Sequence, residues 1–136
     1  MLPPIVVDLI FDQAVTMSFV YAFLSTFLLG MVLTMFAGRQ RAPLRKKEGV
    51  VMVVLTWFIL SHLSALPFIF GAVNVSLIDA IFEAVSGFTS TGFTVFENIK
   101  HIDQGLILWR SSIQWIGGLY FLYSIIFLID IYDESL

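Results

Sequence analysis

The sequence predicts an all-α membrane protein: one leading transmembrane helix, then a membrane-pore-membrane unit of helix, short re-entrant helix, loop and helix. Three observations carry that prediction. Of 136 residues, 59% are hydrophobic and 12% charged, against roughly 25% charged in an ordinary soluble domain, and the mean hydropathy is +0.96. Uncharged runs at 13–38, 49–78 and 111–129 are each long enough to cross a bilayer. Between the last two lies a stretch of about 11 residues with two carboxylates, too short to span. This composition excludes a disordered chain, a collagen-like rod and a soluble nucleic-acid binder, so no nucleic acid is expected as a partner. With no cysteine, disulfides and thiolate metal sites are excluded, and the redox compartment is not readable.

The first run, 13–38, has about 26 residues where ~20 suffice to cross. A cleaved signal peptide fits poorly, because Asp8 and Asp12 stand where a basic segment belongs and the apolar run is too long. Next comes a polar turn with Pro43, and five of the seven basic residues fall around it: Arg39, Arg41, Arg45, Lys46 and Lys47. The net charge of -3 hides this cluster. Lys and Arg beside a span are retained in the cytoplasm, so the loop 39–47 is expected inside, with the chain as a multi-pass protein of the inner (plasma) membrane. The organisation expected is a leading helix and basic loop over 1–44 and a membrane-pore-membrane repeat over 45–136.

The second helix is expected over 49–70, where Pro67, Gly71 and Asn74 signal its end. Ser76 followed by Asp79 resembles a capping box and starts a short helix from Leu77 that should stop near Gly87. Thr89, Ser90, Thr91, Gly92, Phe93 and Thr94 follow without helical or strand punctuation. Arg110 and Asp130 bracket the last span, 111–129, whose Gly117 and Gly118 allow a helix or loop to approach closely or permit a kink. Trp109 and Tyr132 suit interfacial anchoring. The topology implied is an outer N-terminus, one helix in, one out, a half-membrane hairpin entered from outside, and a last helix inward to a cytoplasmic C-terminus.

Irregular backbone cannot face lipid, because each unsatisfied N–H or C=O there costs several kcal/mol; it survives inside protein or lining water. The loop 89–94 must therefore line something wet. Carbonyls turned toward a common axis by a residue of positive φ replace the hydration shell of a monovalent cation, and Gly92 is the residue with that freedom. The short helix would aim its C-terminus, with roughly half a negative charge, at the same place. The hydroxyls of Thr89, Ser90, Thr91 and Thr94 either coordinate or brace; the sequence leaves both open.

The run from Ser76 through Phe88 into Thr89-Ser90-Thr91-Gly92-Phe93-Thr94, followed by Trp109-Arg110 and Gln114-Trp115-Ile116-Gly117-Gly118, resembles the first membrane-pore-membrane repeat of the Trk/Ktr/HKT potassium transporters. Leu66-Pro67-Phe68 at the end of the second helix also looks like that family. The resemblance covers about 45–130, and the first helix is similar to the second of two leading helices in TrkH-type chains. It implies potassium passage, with Thr89, Ser90, Thr91, Gly92 and Phe93 as the selectivity filter. Thr94, Glu83 and Arg110 are expected to support it. Family members carry four such repeats where this chain carries one, so it is either a single-repeat relative or a piece of a larger protein. Both require four walls around the ion, from a homotetramer or from other repeats. The family also implies a cytosolic nucleotide-binding ring as regulatory partner. The basic loop is on the expected side, although contact with anionic lipid headgroups, worth about 1 kcal/mol per charge, is the favoured reading of it.

Other residues have plainer readings. Glu83 either draws cations or braces its helix against Arg110, and bracing is favoured because intramembrane charges seek partners. Asp79 serves equally as a first-turn acid or a vestibule charge. His62 reads as an interhelical hydrogen-bonder rather than a proton relay, and His101 belongs to the outer loop. Neither has further ligands for zinc, and no serine has a base and orienting acid at a diagnostic spacing, so no cofactor and no enzyme are expected. Phe93 is expected to wedge the loop against surrounding helices. Gly30 and Gly38 read as ordinary membrane glycines. The function expected is potassium transport through a quarter-pore; the alternative is a non-conducting structural subunit or an isolated fragment of a transporter.

Overall fold

A computed structural model describes residues 1–10, 16–37, 45–71, 75–96 and 102–133. Gly38, residues 39–44 of the basic loop, Asn74 and His101 lie outside them. Among the described residues the chain is helical and has no strand: α1 (Leu2–Ile10), α2 (Thr16–Phe36), α3 (Lys46–Leu63), α4 (Leu66–Phe70), α5 (Leu77–Phe88) and α6 (Gln104–Asp133). Stretches within α2, α3 with α4, and α6 are long and apolar enough to cross a membrane: Met17–Phe36, Lys46–Phe70 and Gln104–Asp133. The all-α membrane architecture is therefore what the sequence predicts, with three departures in detail.

The first departure is α1, a nine-residue helix packed on α6 and α2 that the sequence reading passes over. The second is a break in the expected 49–70 helix. Pro67 has no N–H to give to Leu63, so α3 stops and the chain restarts as α4 with proline in its first turn. The junction is closed by Ser64 N–H to the Leu60 carbonyl and Ala65 N–H to the His62 carbonyl, both 3.0 Å. The third is the length of α6, whose 30 residues run beyond the uncharged stretch at both ends. At the near end this puts Trp109 and Arg110 inside the helix.

The core lies around α5. Phe19 of α2, Ala65 and Phe68 of the α3–α4 corner, Ala80 and Ala84 of α5, and Leu106, Trp109 and Ile113 of α6 form one buried cluster, joined by Ile102. Trp109 is a core residue rather than an interfacial anchor: it is 6% exposed, its Nε1–H donates to the Ser64 carbonyl at 3.0 Å, and its ring meets Phe19 edge-on. It ties α6 to the corner that seats the short helix. His62 turns to its own helix, its Nδ1 2.7 Å from the Phe58 carbonyl, and among the described residues it bonds no other helix.

Asp8 of α1 is fully buried against Gly105 in the first turn of α6. Neither carboxyl oxygen has a hydrogen-bond partner among the described residues. Burial pushes its pKa up; the Gly105 amide offsets this in part, without hydrogen-bond geometry, and Asp103 adds to it.

Candidate functional site: the loop after the short helix

The candidate site begins with how α5 is held. Ser76 is its N-cap, accepting from the Asp79 amide at 3.2 Å and donating to the Asp79 carboxylate at 2.7 Å, so Asp79 is a first-turn capping acid, as one of its two readings has it. At the other end Phe88 is 2% exposed and sits among Trp57 of α3 and Tyr120 of α6, with ring centroids 5.2 and 6.0 Å away. Gly117 lets the Phe88 carbonyl rest directly on the α6 backbone, where any Cβ would collide with it. Gly87 faces Ile113 in the same way. The close approach expected at 117–118 is thus made by Gly117, while a Cβ on Gly118 would meet only the Ser90 hydroxyl, at an ordinary 3.6 Å. Gly30 of α2 meets nothing within 4 Å.

α5 ends in a Schellman turn. The Ser90 amide donates to the Gly87 carbonyl at 2.9 Å and the Thr91 amide to the Ser86 carbonyl at 3.0 Å. The left-handed residue such a turn requires is Ser90, at φ 57°, and a second positive φ follows at Gly92, 81°. Gly92 is therefore not alone in reversing the chain, as the sequence reading supposes. A serine in that region is uncommon, and here its hydroxyl donates to the Gln114 carbonyl of α6 at 3.0 Å, which helps hold the strained residue.

Below the loop lies a buried polar truss. Glu83, 0% exposed, accepts from the Thr94 hydroxyl at 2.5 Å, the Val95 amide at 2.6 Å and Arg110 Nε at 2.9 Å. The bracing role is the one the geometry gives it. Arg110 uses Nη2 to reach the Gly92 carbonyl at 2.9 Å and the Phe93 carbonyl at 3.3 Å. One cation thus neutralises a buried carboxylate and grips the loop, an arrangement worth more as a network than as an isolated pair.

Sequence reasoning missed Ser86. Its carbonyl accepts from the amides of Thr91 and Gly92, at 3.0 and 3.2 Å, and its hydroxyl donates to the Phe93 carbonyl at 2.7 Å. The spacing from 86 to 93 carried no signal for this, because the contact exists only once the loop has turned back over its own helix. Phe93 is 68% exposed, so its ring does not wedge against the described helices, and its carbonyl is the part held. The Thr89 hydroxyl donates to the Val85 carbonyl at 2.8 Å and shares a hydrogen bond with the Thr91 hydroxyl, also 2.8 Å. These hydroxyls are engaged within the chain, as a bracing role requires.

Carbonyls of Gly92 and Phe93 are engaged by Arg110 and Ser86, whereas among the described residues no donor reaches the carbonyls of Thr89, Ser90 or Thr91. These three residues are exposed. The loop thus combines three exposed residues whose carbonyls carry no hydrogen bond among the described residues with two whose carbonyls are held by a polar frame. Unengaged peptide oxygens are of the kind that suits a hard cation.

Residues 15–134 match the TrkH family model, described as cation transport protein. The chain is 33% identical over 120 residues to the Trk system potassium uptake protein TrkH of Salmonella typhimurium and 34% identical over 120 residues to TrkG of Escherichia coli, covering 88% of this chain and 25% of each relative. TrkI of Halomonas elongata is 38% identical over 81 residues, 60% of this chain and 16% of that protein. The chain spans about a quarter of the length of the TrkH and TrkG relatives it matches. No solved structure gives a significant match. With its loop, its supporting truss and this similarity along most of its length, the chain belongs to the TrkH family of cation transport proteins.

Proposed function

We propose that this chain supplies one wall of a potassium-selective pore, with residues Thr89 to Phe93 as its share of the filter. Within that share the carbonyls of Thr89, Ser90 and Thr91 contact the ion, and Gly92 and Phe93 fix the curvature by giving theirs to the frame. The observation that carries the reading is that division between unengaged and braced carbonyls. Thr94, Glu83 and Arg110 support the loop. The C-terminal end of α5 adds a partial negative charge at the same place.

A dehydrated ion needs oxygens all round, so three further walls complete the pore. A match to 25% of each TrkH and TrkG relative agrees with one repeat of four, which favours the other repeats of a longer chain as those walls; a homotetramer is the alternative. The ion moves down its electrochemical gradient, worth about 2.3 kcal/mol per charge per 100 mV, without enzymatic chemistry or a cofactor. The membrane is the inner (plasma) membrane, with the loop 39–47 in the cytoplasm, available to lipid headgroups and to a nucleotide-binding regulatory ring.

The test is Gly92→Ser in the complete transporter reconstituted in liposomes. A side chain at a φ of 81° strains the turn, although the nearest atom, Gln114 Nε2, would lie 3.6 Å from its Cβ. The potassium-to-sodium permeability ratio falls if the loop is the filter. An unchanged ratio in a conducting protein contradicts the proposal.

A further inference from the structure

The first turn of α3 and the last turn of α6 meet at one end of the molecule. Gly49 brings them together, for a Cβ there would stand 2.5 Å from the Ile131 side chain. Between them opens a groove of about 360 Å³ lined by Lys46, Lys47, Val50, Val51 and Tyr132. Lys46 Nζ stands 5.0 Å from the centre of the Tyr132 ring, a contact that orients the ammonium without neutralising it. Among the described residues neither lysine has a carboxylate partner: the ion pair found is Glu83 with Arg110, and Glu48 is turned onto the Arg45 amide at 3.0 Å. Asp130 and Asp133 share the end of α6, but at 3.6 residues per turn they point off the Tyr132 face and do not line the groove. Val50 and Val51 remain 37% and 55% exposed.

We propose that this groove binds an anionic phospholipid, its phosphate on Lys46 and Lys47 and the first methylenes of an acyl chain along Val50 and Val51. Two cations immediately above two exposed valines, at the ends of two spans, match a ligand that joins phosphate to alkyl chain at headgroup depth. Free phosphate leaves the valines uncovered, and a zwitterionic headgroup brings its own cation against the lysines. The proposal deepens the reading of the 39–47 loop as a contact for lipid headgroups and rests on it; the site stands apart from the filter and is independent of the potassium reading.

The experiment is native mass spectrometry of the full-length transporter, titrated in detergent with phosphatidylglycerol or with phosphatidylcholine. The proposal expects wild type to retain phosphatidylglycerol about tenfold more strongly or better, the scale two lysines near a membrane surface supply. It expects Lys46→Gln with Lys47→Gln to remove that preference. Val51→Trp, which fills the groove and leaves both charges, lowers occupancy as well. Equal retention of the two lipids by wild type overturns the proposal, as does a double variant that keeps the preference. Displacement of the lipid by millimolar inorganic phosphate also overturns it, since the groove would then be an ion site. All these readouts are lipid occupancies, independent of conduction.

Discussion

The C-terminal half of α2 and the junction of α5, its loop and α6 are both built for the membrane, yet they are opposites. From Phe27 onward every described residue of α2 is exposed, and its ties to the rest sit near the other end, where Phe19 and Ala22 are buried and the Ser18 hydroxyl donates to the Phe70 carbonyl. At the loop junction a carboxylate is fully buried, two residues hold positive φ, and Gly117 carries a backbone carbonyl directly on its surface. Apolar surface facing lipid or a missing neighbour asks only for length and hydropathy. Irregular backbone at membrane depth asks for every polar group to be answered. The difference teaches that, in this chain, the region proposed to act is marked by polar over-determination added to apolar burial.

The contrast is sharpest at Glu83 and Arg110. Arg110→Met leaves a buried carboxylate unpaired and releases the Gly92 carbonyl; a loss of about 3–5 kcal/mol is expected, read as a large fall in thermal stability together with lost selectivity. Pairing it with Glu83→Gln removes the unpaired charge and restores much of the stability, without restoring selectivity, because the Gly92 carbonyl stays ungripped. Restored selectivity in the double variant would separate the truss from the filter.

A smaller effect is expected at the glycines. Gly117→Ala drives a methyl into the Phe88 carbonyl and should cost about 1–3 kcal/mol as overpacking, whereas the same change at Gly30, with nothing within 4 Å, should stay within about 0.5 kcal/mol. Comparable losses at the two positions would erase the comparison. Ser86→Ala should cost about 1 kcal/mol through the lost bond to the Phe93 carbonyl. It keeps the Ser86 carbonyl bonds, so the expected signature is a shifted potassium-to-sodium ratio in a protein of nearly normal stability.

The gentlest prediction concerns Asp8. Its folded pKa is raised, so the ionised form opposes docking of α1 on α6 above the ordinary aspartate range, and that penalty is relieved as pH falls through the raised value. Protection factors in α1, corrected for the intrinsic pH dependence of amide exchange, should therefore rise on mild acidification. Asp8→Asn removes the carboxyl's titration and should flatten the response; a persisting response assigns it to another group.

The three spans, the short helix with its Ser76 cap and the pairing of Glu83 with Arg110 were legible in the sequence, because each is local or follows from the cost of an unpaired charge in lipid. The break at Ser64–Ala65 was half legible: Pro67 announced an end, but the Ser64 carbonyl at the corner is taken by Trp109, 45 residues away. The roles of Ser86, Ser90 and Phe93 were not legible. Each depends on the loop folding back over α5, and a serine in the left-handed region leaves no mark in composition. Trp109 was misjudged because an aromatic beside an arginine reads as an interface until the helix is known to begin at Gln104.

The central claim is that the carbonyls of Thr89, Ser90 and Thr91 hold the ion while Gly92 and Phe93 are held by the frame. Anomalous scattering from thallium or rubidium, soaked into crystals of the complete transporter, tests it most directly. The account predicts a peak on the central axis in coordination contact with those three oxygens. A peak elsewhere on the pathway with none at the loop, or a loop packed against lipid with no axis before it, would contradict it.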